Sequence, residues 1–196
     1  TEEFGAAQFF MNEDFTRENL SKQRAADSYQ IIHLATHADF QPGGLASSYI
    51  QLWNDKLTLA EIPQLAWSNP PIDLLVISGC RSALGNKEAE LGFAGLAVKS
   101  GVRTAIASLW SVSDEGTLAL MSEFYRQLKT APTKGEALRM AQVAMIRGEI
   151  TVENGILRGV NRGAAIQLPP ELAGVTKESL GHPYYWSGFT VIGSPW

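Results

Sequence analysis

Two apolar runs break an otherwise mixed pattern of hydrophobic and polar positions. Residues 29–36 (YQIIHLAT) and 72–79 (IDLLVISG) are mostly apolar and bounded by polar or turn-forming residues, as expected of strands buried on both faces of a parallel sheet. The Asn-Pro-Pro at 69–71 marks the entry to the second run, because proline disfavours helix in the residue before it. A third strand is predicted at VRTAIASLW, after a helix over 88–101 (EAELGFAGLAVKSG) that ends on a capping glycine.

Helical spacing dominates elsewhere. Residues 15–25 predict a short amphipathic helix, and TLAEIPQLAW another, limited by Pro63. DEGTLALMSEFYRQLK places Leu118, Met121, Phe124, Tyr125 and Leu128 at three- and four-residue steps, with Ser113 or Asp114 as the cap, and TKGEALRMAQVAMIRG repeats the pattern. The Gly-, Ser- and Pro-rich ADFQPGGLASS reads as a loop leading into a short strand at YIQLW. Residues 149–180 read as irregular, HPYYW as a loop and SGFTVIG as a closing strand. Buried strands alternating with helices imply an α/β fold in three layers: a mostly parallel sheet flanked by helices on both faces, joined by right-handed crossovers.

Composition narrows the function classes. A chain of 196 residues suits one domain over residues 1–196, and 45% hydrophobic with 18% charged residues describes an ordinary globular protein. The formal charge of -4, without a basic cluster, argues against a nucleic-acid partner. No apolar run reaches membrane-spanning length and the first residues lack a secretion signal, so neither membrane nor export is expected. One cysteine excludes an intramolecular disulfide and a cysteine-rich zinc site, which points to a reducing compartment, the cytoplasm. The chain opens on Thr1 rather than Met, as expected of a piece of a longer protein.

In parallel sheets function gathers where strands end at their carboxyl edge, and two reactive residues fall there. Cys80 follows Ser78-Gly79 at the end of the second strand, and His37 follows the first, 43 residues upstream. A thiol needs a base within hydrogen-bond reach and backbone N–H groups to receive an oxyanion, and strand ends supply both. The order also matches the caspase pattern, in which histidine precedes the nucleophile motif by about 50 residues. His33 sits mid-strand among apolar residues, as expected of a hydrogen-bonded core histidine able to orient nearby chemistry. His182 is expected to anchor a loop. A metal pair from His33 and His37 is rejected, because no third ligand is suitably spaced. Phosphate-loop, dinucleotide, nucleophile-elbow and zinc-protease motifs are absent.

HLATHADF, DLLVISGCRSALG, ELGFAGLAVKSGVRTAIASLWSVSDEGT and HPYYWSGFTVIG together closely resemble CHAT domains, across nearly the whole chain. CHAT domains group with caspases and separases among caspase-fold peptidases and are often joined to tetratricopeptide repeats. The resemblance implies a caspase-like fold whose first core strand lies before residue 1, and a cysteine endopeptidase with His37 as base and Cys80 as nucleophile. It implies an oxyanion hole from the N–H groups of Ala38 and Cys80, and no cofactor or metal. The expected partners are a protein or peptide substrate and an upstream tetratricopeptide region or regulatory protein. SLWSVSDEGT resembles the separase tract that receives a basic side chain, which implies cleavage after basic residues at a pocket containing Asp114; the alternative role for Asp114 is a helix cap. Ala38 and Gly79 depart from the family pattern, and Ala38 together with the missing front of the domain leaves open a degenerate CHAT module acting as a binding or signalling scaffold.

Overall fold

The computed structural model describes residues 7–26, 29–39, 46–65, 67–81, 92–159, 165–168, 172 and 180–196. The chain enters through helix α1 (Arg17–Ala26) into strand β1 (Ile31–Leu34), followed at once by the short β2 (Ala38–Asp39). β3 (Tyr49–Gln51) and β4 (Lys56–Thr58) form a hairpin, and a 3-10 helix over Leu59–Leu65 carries Pro63 in its interior. β5 (Leu74–Ile77) runs into β6 (Cys80–Arg81) just as β1 runs into β2. Helix α2 (Phe93–Lys99), β7 (Thr104–Ser108), α3 (Asp114–Leu128) and α4 (Lys134–Ile146) follow. β8 (Thr151–Glu153), β9 (Ile156–Arg158), β10 (Ala165–Gln167) and β11 (Phe189–Gly193) complete the described strands. Residues 88–91 of the predicted third helix lie outside the described residues, as do 40–45 of the predicted loop.

The central sheet has the order β1-β5-β7-β11, the first three strands parallel and β11 antiparallel to β7. β5 is flanked on both sides, and its four residues are at most 1% exposed. This accounts for its unbroken apolar run, and each such side chain contributes about 1.5–3 kcal/mol by leaving water. Alternate residues face alternate layers. Leu75 and Ile77 join a core with Trp67, Phe93 and Ala97 beneath α2 and the 3-10 helix; Leu74 and Val76 join one with Leu120, Phe124 and Ala141 beneath α3 and α4. The mixed α/β class, the mostly parallel sheet and helices on both faces agree with the sequence-based expectation.

Some details differ. α3 buries Ala119, Leu120 and Phe124 most deeply, while Leu118, Tyr125 and Leu128 lie at the margin, because the helix packs on the sheet with α4 alongside it. Residues 38–39, expected in a loop, pair with both β3 and β6. The stretch expected to be irregular contains an antiparallel sheet, β10-β9-β8. Its signal was present in the sequence: Asn154-Gly155, at φ 53° and 70°, is the dipeptide that accepts two left-handed residues in a hairpin turn between Thr151–Glu153 and Ile156–Arg158. Among the described residues no helix is long and apolar enough to cross a membrane.

Candidate active site

The site grows from two ladders that share their strands. In the central sheet Leu34 of β1 pairs with Ile77 of β5, and Ile77 with Ala107 of β7, so all three parallel strands end on one rim. Beyond that row the first two strands continue into a second sheet, where β2 and β6 are again parallel, with Ala38 opposite Cys80 and Asp39 opposite Arg81. Between the ladders lie Ala35, Thr36 and His37 on one side but only Ser78 and Gly79 on the other. The extra residue falls on the histidine side, the arrangement of a bulge, which re-aims a side chain beside a site. The Ser78 N–H donates to the Leu34 carbonyl at 3.2 Å before this break, and the Ala38 N–H to the Gly79 carbonyl at 3.1 Å after it.

Three contacts hold the histidine-bearing link. The Thr36 hydroxyl donates to the Gln51 carbonyl at 2.8 Å, the Gln51 N–H donates to the His37 carbonyl at 2.8 Å, and the Thr36 backbone packs directly on Gly79. A Cβ at position 79 would overlap the Thr36 carbonyl, so glycine is needed there for close backbone approach. The departure at Gly79 thus has a local cause. His37 itself is exposed and Ala38 is buried at 2% exposure. The side chain of Cys80 lies outside the described residues; its backbone, in β6, is described.

The Ala38 N–H, expected in an oxyanion hole, is engaged by the Gly79 carbonyl and is free to receive an oxyanion only by releasing it. Asp114 is the exposed first residue of α3, following the segment that leaves β7 on the same rim. It is not the cap. Ser113 takes that position, its Oγ accepting from the Gly116 N–H at 2.9 Å, because its extended backbone (φ -77°, ψ 146°) aims the hydroxyl at the helix's first turn.

The other histidines have assigned partners. The His182 Nδ1 accepts from the Tyr184 N–H at 3.2 Å, which caps the short 3-10 helix Pro183–Tyr185 and anchors the loop as expected. His33 departs from its expectation as a core residue: β1 is the edge strand of the described central sheet, and the ring stays exposed. It is nevertheless hydrogen-bonded at both nitrogens, Nε2 lying 2.7 Å from the Ser78 Oγ and Nδ1 3.0 Å from the Tyr125 hydroxyl. Protein atoms crowding the ring displace water and lower its pKa to about 4, although the residue as a whole keeps exposed surface; His33 is therefore neutral at pH 7. The sequence alone does not reveal this group, because Ser78 and Tyr125 carry no motif and meet His33 only across the sheet and α3. Among the described residues no cluster of three or more His, Cys, Asp or Glu is placed to hold a metal ion.

A family model of the CHAT domain matches residues 2–194 of the chain. No curated protein matches it.

Proposed function

The chain belongs to the CHAT domain family, a family of caspase-like peptidases, and on that premise we infer that it is a cysteine endopeptidase with a Cys80–His37 dyad. The observation that carries this reading is the register pair Ala38–Cys80. Adjacent strands lie about 4.8 Å apart, so the pairing brings the backbones at His37 and Cys80 close together. A regular strand would turn the side chain next to Ala38 to the other face, and the bulge between the ladders is proposed to re-aim His37 toward Cys80. A lone cysteine beside a histidine on a strand-end rim is the minimal equipment for thiolate chemistry.

In the proposed reaction His37 takes the thiol proton and the Cys80 sulfur attacks the peptide carbonyl. The Cys80 N–H receives the oxyanion, joined by the Ala38 N–H once it leaves the Gly79 carbonyl. Collapse of the tetrahedral species breaks the C–N bond, and His37 returns the proton to the departing amine. Water, deprotonated by the same imidazole, then splits the thioester to a carboxylic acid and restores the thiol. Asp114, freed of the capping role by Ser113, is proposed to receive an Arg or Lys side chain before the scissile bond. An upstream tetratricopeptide region or a regulatory protein is the proposed partner gating access, and a reducing cytoplasm the proposed setting, since the nucleophile must remain a thiol.

A second reading has one observation in its favour. The Ala38 N–H is already satisfied by Gly79, as it would be in a degenerate CHAT module that binds a partner without cleaving it. One experiment separates the two. A peptidyl acyloxymethyl ketone with arginine as its first residue should label the protein covalently, and Cys80→Ala should abolish the label. An intact full-length protein that resists labelling would favour the scaffold.

A further inference from the structure

A second histidine-centred group occupies the α3 face of the sheet, and the dyad does not use it. His33 pairs in register with Val76 on β5, so its side chain shares the face of Leu74 and Val76, above which α3 packs. There its ring is clamped between the Ser78 Oγ, at 2.7 Å from Nε2, and the Tyr125 hydroxyl, at 3.0 Å from Nδ1, with the two rings tilted at 37° and 5.6 Å apart. A neutral imidazole has one donor and one acceptor, and each hydroxyl can supply the complement, so both bonds are satisfied in either tautomer. Valine or isoleucine would suit a strand position at least as well, but neither would make these bonds.

The order hydroxyl, imidazole, hydroxyl has the outline of a nucleophile with its base and orienting group. Ser78 is 5% exposed, however, so no acyl donor can reach it. The consequence lies further along the chain. Ser78 is two residues before Cys80, at the point where β5 leaves the central sheet for β6. The next residue, Gly79, contributes no side chain to restrain the path. Ser78 is tied to β1 by its N–H, donated to the Leu34 carbonyl at 3.2 Å, and again by its Oγ to His33, which α3 braces through Tyr125.

We propose that His33 is a positioning residue for Cys80: braced by Tyr125, it holds Ser78 and thereby sets the path on which the chain delivers the nucleophile beside His37. This rests on the reading of Cys80 as the nucleophile. His33 touches neither substrate nor the reacting atoms and acts only through Ser78. An error of about 1 Å in the placement of a reacting group can cost 100-fold in rate, so a strut of two hydrogen bonds is sufficient to matter.

The test is covalent inactivation by the arginyl acyloxymethyl ketone, with the maximal rate kinact and the half-saturation constant KI measured for the wild type, His33→Leu, His33→Gln and Tyr125→Phe, well below each protein's melting temperature. His33→Leu fills the volume without the bonds and should lower kinact about 10-fold or more while leaving KI within about twofold. His33→Gln, whose amide can still reach Ser78, should recover most of kinact, and Tyr125→Phe should fall between. Folded His33→Leu with wild-type kinact, or with a raised KI alone, would overturn the proposal. Should His33→Leu not fold, equal kinact in His33→Gln, Tyr125→Phe and the wild type overturns it instead. A wild-type protein that is not labelled at all defeats the peptidase reading and this inference with it, whereas a labelled wild type with insensitive variants defeats this inference alone.

Discussion

The carbonyl of Thr36 occupies the space that a side chain on Gly79 would need. One residue after each of these positions stands a member of the proposed dyad, His37 and Cys80, so the contact sets the separation of the two segments that carry them. Gly79→Ala should therefore separate the β1–β2 and β5–β6 links rather than fill a gap, at a cost of about 1–3 kcal/mol. Urea unfolding measures this. A variant within about 0.5 kcal/mol of the wild type would show that the links are not in close contact.

A second anchor of this segment is the bond from the Thr36 hydroxyl to the Gln51 carbonyl. Thr36→Val keeps the shape and removes the donor, leaving a carbonyl short of a partner, which should destabilise the fold by about 1 kcal/mol. Thr36→Ser keeps the hydroxyl and should recover most of that loss. Equal losses in both variants would assign the effect to methyl packing.

Ser113 and Asp114 should separate cleanly between stability and specificity. Ser113→Ala removes the acceptor for the Gly116 N–H and should cost about 1 kcal/mol in thermal or chemical unfolding. Asp114→Asn should change stability little but abolish any preference for a basic residue in a peptide-library profile. A preference that survives Asp114→Asn removes Asp114 from the pocket.

His33 predicts a pH dependence. Its folded pKa, lowered to about 4 by desolvation, lies below the unfolded value of about 6.5, so the unfolded chain binds the proton more readily. Stability from this group is complete above pH 6.5 and should decline as pH falls toward 4. The carboxyls of Glu61 and Asp55, held low chiefly by hydrogen bonds from Arg17, withdraw their contribution only below the ordinary carboxylate range of about 4–4.5, leaving the upper part of the window to the histidine. Urea midpoints between pH 7 and 5 should slope in the wild type and flatten in His33→Leu. Parallel slopes would place the effect elsewhere.

How much was legible in the sequence varies by element. β5 was clear because a strand buried on both faces must be apolar throughout, and α3 because a helix beside a sheet repeats its apolar positions with its own period. The hairpin at Asn154-Gly155 was equally open to reading, from its turn dipeptide. β2 and β6 were not, since two residues carry no periodicity and are strands only because each continues a longer neighbour into a second ladder. His33 reads as core because apolar residues surround it in sequence; whether its strand lies at an edge is a property of the sheet order.

By itself, then, the sequence determined the α/β class, the crossing helices and the placement of His37 and Cys80 at strand ends, since burial and periodicity are local consequences of residue type. Tertiary structure alone decided that Ala38 stands opposite Cys80, that three residues on one link face two on the other, that Thr36 requires glycine at 79, and that Ser78 and Tyr125 hold His33. The physical reason is that register, close backbone approach and hydrogen bonds between strand and helix join residues tens of positions apart, where no local pattern records which partner each will meet.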